Sequence, residues 1–305
     1  MTTRDKLLAV FVTAIWGLNF LAVRIGLDHY PPFFFAAIRY LVMVLPVVLF
    51  VPRPKVATRW LVGYGLGFGT MQFGFLFLAI RNGMPTGLSS LVLQASAPFT
   101  VLLGVLLLHE RLTPRQIAGI VLAVLGLGII AWDRAESAAL LPVVLTLLGA
   151  FGWALGNLSG RQAKNANPLH FALWMSVIPP IPLLALSAVL EGPTTGWRDL
   201  GRSFSADGWP GLAATVFIVL MGGVLGSTIW TALLSRNPAA IVAPFSLLEP
   251  VVGIAGAWMF LNERPGLLAL VGSIIGISGV LVGLPPRPAT GRMPAKQAER
   301  QAQEV

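Results

Sequence analysis

Ten stretches of about twenty mostly apolar residues follow one another along this chain, near positions 7–27, 33–51, 60–80, 86–108, 115–132, 139–160, 169–190, 209–233, 238–261 and 266–284. A bilayer core about 30 Å thick takes roughly 20 helical residues to cross, so each stretch has the length of one transmembrane helix. Runs that stay apolar for that length exclude the alternating ten-residue strands of a membrane barrel. Composition agrees: 56% of residues are hydrophobic, 11% are charged, and the mean hydropathy is +0.80. The sequence therefore predicts an all-α membrane protein of ten transmembrane helices. Arg4 and Lys6 precede the first run as they would in a signal peptide. That run is too long for a signal h-region and lacks a small-residue cleavage site, so it is expected to stay as helix one.

The net charge of +9 does not point to nucleic acid, because Lys and Arg are spread through short gaps between apolar runs rather than clustered on a soluble face. With ten crossings and the N-terminus inside, fourteen of the 21 basic residues fall on the inner side, among them Arg4, Lys6, Arg53, Lys55 and Arg59. Five (Arg81, Arg134, Arg198, Arg202 and Arg264) fall outside, and Arg24 and Arg39 lie within or at the ends of spans. That bias predicts cytoplasmic N- and C-termini. The tail from 285 to 305 has no apolar period and reads as a disordered end facing lipid head groups. Cysteine is absent, which excludes disulfides, thiolate chemistry and cysteine-ligated metal.

The chain also repeats itself. AIWGLNFLAVR at 14–24 returns as FGWALGNLSGR at 151–161, aligning Trp16 with Trp153 and Arg24 with Arg161. RNGMPTGLSSLVLQASAPFTVLLGVLLLHERL, from Arg81, parallels RNPAAIVAPFSLLEPVVGIAGAWMFLNERP, from Arg236, including a helix-interior proline (Pro98, Pro250) and an acid–base pair (Glu110-Arg111, Glu263-Arg264). The expected organisation is a first five-helix repeat over 1–134, a second over 135–284, and the tail 285–305. Five is odd, so the second repeat enters the membrane from the opposite side, the inverted arrangement of many secondary transporters. Pro98 lies twelve residues before Glu110 and Pro250 thirteen before Glu263, so the kink in the first half is expected to be displaced by one position or its motif remodelled.

These residues resemble the drug/metabolite transporter superfamily, specifically its EamA-type exporters, over about residues 7–284. IWGLNF, FAAIRYLVMVLP with Arg39, LLLHERLT and LLEPVVGIAGAWMFLNERP carry the likeness. The resemblance implies ten helices around a central cavity built mainly by helices one, three, four, six, eight and nine. It also implies export of amino acids or related small metabolites, with bacterial exporters of amino acids, including aromatic ones, among the similar members.

Several residues stand out at membrane depth. Glu249 is a carboxylate near the middle of helix nine, where a charge costs several kcal/mol unless solvated, paired or protonated. It reads as a protonatable site coupling export to a proton gradient, as a partner for a substrate ammonium, or as a neutral carboxyl bonded to backbone freed by Pro244 or Pro250. Arg39, about 10 Å into helix two, reads as a gate or interface residue. Trp16 and Trp153 could wall a cavity and stack on a flat substrate, while Asn19, Gln72, Gln94, Asn157, Ser227 and Trp230 could offer hydrogen bonds. The competing reading is that such residues glue helices together or form interfacial belts. Pro98, Pro244 and Pro250 are candidate bending points. Glycines spaced by four (Gly152, Gly156, Gly160; Gly272 with Gly276; Gly279 with Gly283) allow close helix packing, and in helix ten they offer a face for a homodimer.

No phosphate-binding loop, HExxH, GxSxG or Asp-rich motif occurs, and His29, His109 and His170 make no ligand spacing, so neither a metal, a cofactor nor an enzyme is expected. The expectation is an inner-membrane exporter working by alternating access, with small-molecule substrate, lipid and protons as its partners. A passive pore and an intramembrane enzyme are the alternatives.

Overall fold

The computed structural model describes residues 1–109, 111–136, 140–163, 167–237 and 239–283, and every regular element among them is helical. Eight helices are long and apolar enough to cross a membrane. They are α1 (Thr3–Leu27), α2 (Pro32–Phe50), α3 (Thr58–Arg81), α4 (Thr86–Leu108), α5 (Pro114–Trp132), α6 (Leu140–Gln162), α7 (Leu169–Leu190) and α8 (Trp209–Leu234). Two shorter apolar helices follow, α9 (Phe245–Leu261) and α10 (Leu267–Gly283). At 1.5 Å per residue these last two are about 26 Å long, just under the hydrocarbon thickness. The predicted tail 285–305 lies outside the described residues.

Helix α1 starts before its apolar run because Thr2 and Asp5 form a capping box: the Asp5 N–H donates to Thr2 Oγ1 at 3.1 Å and the Thr2 N–H to Asp5 Oδ2 at 3.3 Å. Bonds between elements then show which turns share an end of the bundle. At one, here the Pro32 end, Arg81 Nη1 donates to the Leu27 carbonyl at 2.8 Å. There the Glu191 carboxylate accepts from the Phe33 and Phe34 N–H groups at 2.7 and 3.0 Å, and Glu263 Oε2 accepts from the Gly87 N–H at 3.1 Å. At the other, the Thr3 end, Trp174 Nε1 donates to the Val51 carbonyl at 2.8 Å and Asn237 Nδ2 to Asp5 Oδ2 at 3.4 Å.

Four departures from ideal helix form two pairs, one member in each half, while the 3₁₀ break at Met175–Val177 in α7 has no counterpart in the continuous α2. A π-helical segment, Gly65–Met71, lies in α3, and another, Ile218–Gly226, lies in α8. Helix α4 is interrupted at Gln94 and Ala95 and resumes as Ser96–Leu108. The predicted ninth span, 238–261, is likewise discontinuous: a turn at Ala239–Val242 and a 3₁₀ segment at Ala243–Leu247 precede the α-helix Leu248–Leu261. Pro98 and Pro250 are each the third residue of the resumed helix, where a proline costs no helical hydrogen bond. Both helices end on a left-handed residue, His109 and Asn262, each at φ 54°. The kink thus keeps one register in both halves, contrary to the displaced kink expected. The extra residue before Glu263 lengthens the helix after the proline.

Small residues set the closest approaches. A Cβ on Gly67 would come within 2.7 Å of the Gly152 carbonyl and the Gly156 nitrogen, so the glycines of α6 seat the π segment of α3. A Cβ on Gly126 would come within 2.5 Å of the Gly272 carbonyl and the Gly276 nitrogen, and Gly119 meets Gly279 and Gly283 in the same way. This corrects the expectation of a dimer face on helix ten: α5 of the same chain already covers those glycines.

Candidate substrate cavity

A cavity of about 680 Å³ occupies the middle of the bundle, within the range of small-molecule sites. All nine residues proposed from sequence to meet substrate (Trp16, Asn19, Gln72, Gln94, Trp153, Asn157, Ser227, Trp230 and Glu249) line it, and so does Arg39. Helices α2 and α7 contribute as well, through Arg39, Tyr40 and Met43 and through Leu173 and Met175, so the wall is broader than the six helices the resemblance implies. Pro98 and Pro250 sit behind the wall at the helix interruptions and do not line it. The side chain of Pro244 and all of Glu110 lie outside the described residues.

The interrupted helices build the wall. The π segment of α8 presents the Gly222 carbonyl inward, where Trp16 Nε1 donates to it at 3.0 Å. The Trp16 N–H is thereby committed to the wall, leaving its ring face beside that of Trp230, with centroids 5.2 Å apart. Asn157 Nδ2 donates to Thr100 Oγ1 at 3.2 Å, tying α6 to α4 as the helix-glue reading expects. Gln94 sits at the α4 interruption, Ser227 directly follows the α8 π segment, and Trp153 meets Phe68 edge to face at 5.8 Å. Asn19 packs against Gly222, where any Cβ would overlap its amide.

Four polar atoms of the wall are buried without a hydrogen-bond partner: Asn19 Oδ1, Gln72 Oε1, Arg39 Nε and Tyr40 Oη. Buried polar groups are normally satisfied, so this wall keeps hydrogen-bonding capacity that the described residues do not use. The Arg39 guanidinium lies over Phe73 at 3.7 Å and over Tyr40 at 4.8 Å, so ring faces partly replace the water it has lost. Glu249 is in the first turn of the resumed α9 helix, at the positive end of its dipole. Its backbone carbonyl presses on α1 beside Gly17, where a Cβ would lie 2.8 Å from the oxygen. Among the described lining residues, Arg39 on α2 and Glu249 on α9 carry the formal charges.

Sequence reasoning passed over Tyr40, Tyr64, Phe68 and Phe73, all of which line the cavity. Tyr64, Phe68 and Gln72 recur every four residues along α3, which was a usable signal. Tyr64 stacks on Phe68 at 5.3 Å and on Phe171 at 5.1 Å. The acid of the second corner acts across the bundle. Glu263 caps α4, 176 residues away, and not the helix that follows it.

Comparison with known proteins places this architecture. The chain matches the EamA-like transporter family over residues 6–132 and 140–284. It is 37% identical over 290 residues to an Escherichia coli protein named "Probable amino-acid metabolite efflux pump", covering 93% of this chain and 96% of that one. It is 26% identical over 283 residues to the "Probable terminal-alkyne amino-acid exporter" of Streptantibioticus cattleyicolor, covering 90% and 91%. A solved crystal structure, 18% identical, shares the fold at a TM-score of 0.56 over 93% of this chain and 98% of that one. With the family matched over nearly its whole length, the chain belongs to the EamA-like transporter family and is a multi-pass membrane transporter.

Proposed function

We propose that this protein exports amino acids or related small metabolites across the inner membrane as a secondary transporter, by alternating access of its central cavity. Two inverted five-helix repeats, 1–134 and 135–284, make up the moving parts, and both termini are cytoplasmic. The observation that carries the reading is the position of the cavity: it lies beside the interruptions of α4 and α9 and the π segments of α3 and α8. Discontinuous helices paired across two repeats are where secondary transporters bind their substrates. Two similar relatives named for amino-acid efflux support the substrate class.

In this orientation the Pro32 end faces outward and is shut. The cavity wall runs toward the cytoplasmic end, to Tyr64, Leu173, Thr231 and Leu234. Rocking of one repeat against the other about the interruptions at Pro98 and Pro250 exchanges the open side. Glu249 supplies the protonatable group for a proton-coupled cycle, and Arg39 holds the outer part of the cavity closed.

The test is transport by purified protein in liposomes, with a panel of amino acids and with or without a pH gradient. Saturable uptake stimulated by unlabelled amino acid on the far side is expected, and a passive pore shows no such stimulation. No movement of any amino acid in either direction overturns the proposed substrate class. A Glu249→Gln variant with full transport and unchanged pH dependence removes Glu249 from the coupling.

A further inference from the structure

Resting on the amino-acid reading, we infer that the cavity selects zwitterions: Arg39 and the Tyr40 hydroxyl receive the substrate carboxylate, and Glu249 and the Asn19 amide oxygen receive its ammonium. The donor side is α2. Arg39 is 8% exposed and Tyr40 1% exposed, and Arg39 Nε and Tyr40 Oη are both unpartnered hydrogen-bond donors. A guanidinium resting on rings, with no carboxylate beside it among the described residues, lacks the counter-ion that a buried cation needs. The acceptor side is the seam of α1 and α9. Asn19 Oδ1 has no donor, and Glu249 makes no hydrogen bond or ion pair among the described residues.

Charge balance decides between ligand classes. The two formal charges of the wall sum to zero, yet they do not pair with each other. An organic anion would satisfy Arg39 and leave Glu249 without a partner, and an amine would do the reverse. A molecule carrying both charges compensates both. Arg39 is seven residues from the Pro32 end of α2, and Glu249 is twelve from the same end of α9 at Leu261. Their backbones thus differ in depth by about 7.5 Å at 1.5 Å per residue, so the two charged residues enter the wall at different levels. The rings of Tyr64, Phe68, Phe73, Trp153 and Trp230 remain for the side chain, which permits broad tolerance there and strictness at the charged ends.

The experiment uses the full-length protein in liposomes and the twenty proteinogenic amino acids. The amino acid moved fastest is then supplied as its Nα-acetyl derivative, which lacks the ammonium, and as its amide, which lacks the carboxylate. Wild-type protein is expected to move the free amino acid at least tenfold faster than either. Glu249→Gln is expected to raise the rate of the acetyl derivative relative to the free amino acid. Arg39→Gln is expected to raise that of the amide. Equal rates for all three compounds in the wild type overturn the two-pole site while leaving amino-acid export intact. No transport of any free amino acid overturns both readings. The wild-type comparison stands by itself if a variant does not fold. Where both variants fold, an identical loss for all three compounds contradicts the assignment of poles.

Discussion

The two ends of the bundle are built differently. Polar bonds join distant elements at both ends, but at the Pro32 end carboxylates from the second half of the chain cap helix N-termini. Glu191 holds the start of α2 through two backbone N–H groups, and Glu263 holds the start of α4 through one. Below them Tyr30 stacks on Phe35 at 5.5 Å, and Phe35 meets Phe77 at 5.2 Å, each ring almost wholly buried. At the Thr3 end the cavity wall reaches Leu173, four residues into α7, and Leu234, the last residue of α8. The link from Asn237 to Asp5 there is a long 3.4 Å contact. A carboxylate on a helix N-terminus satisfies orphan N–H groups and meets the positive end of the dipole, yet it can be released intact to water. The Pro32 end is therefore joined by contacts that are strong and reversible.

That contrast can be broken piece by piece. Phe35→Ala should have the largest effect, because a fully buried ring is removed from the cluster with Tyr30 and Phe77. A loss of about 3–5 kcal/mol is expected, seen as a lower midpoint of thermal aggregation in detergent. Glu191→Ala leaves two N–H groups without partners, a cost of about 2–4 kcal/mol to the closed end. Since the chain has no cysteine, an Ala37→Cys reporter one turn below Phe33 can read this, and its labelling by a small thiol reagent should quicken more than tenfold. Glu263→Ala removes one such bond beside a small surface pocket, and the same reporter should quicken several-fold, for about 1–2 kcal/mol. Asn237→Ala at the opposite end should change stability by less than about 1 kcal/mol and leave the Ala37→Cys labelling rate unaltered. Equal effects of Glu191→Ala and Asn237→Ala on that reporter would remove the distinction between the ends.

Much of this was legible in the sequence because membrane burial leaves local marks. Apolar runs placed the helices, Pro98 and Pro250 marked the two interruptions, and polar residues at membrane depth, from Asn19 to Glu249, pointed into one cavity. What escaped depends on packing between distant elements. The seats of Glu191 and Glu263 are 158 and 176 residues away from them, beyond any helical period. The π segments fall on glycine-rich GLGFGTM and IVLMGGVLG, whose glycines also occur in ordinary helices. The glycines of α10 could equally have faced a second copy, and only the seating of α5 decides that they do not. The short helix Thr195–Arg202, whose Trp197 meets Phe34 edge to face at 5.1 Å, carries only two large apolar residues, Trp197 and Leu200, too few to mark a span.

The central claim is that the cavity holds the transported amino acid, and one substitution tests it directly. Ser227→Cys places a thiol in the cavity wall next to the α8 π segment. In liposomes, its reaction with a small methanethiosulfonate reagent should slow severalfold when a transported amino acid is present, with half-protection near the concentration that half-saturates transport. A labelling rate that no transported amino acid changes would contradict the account.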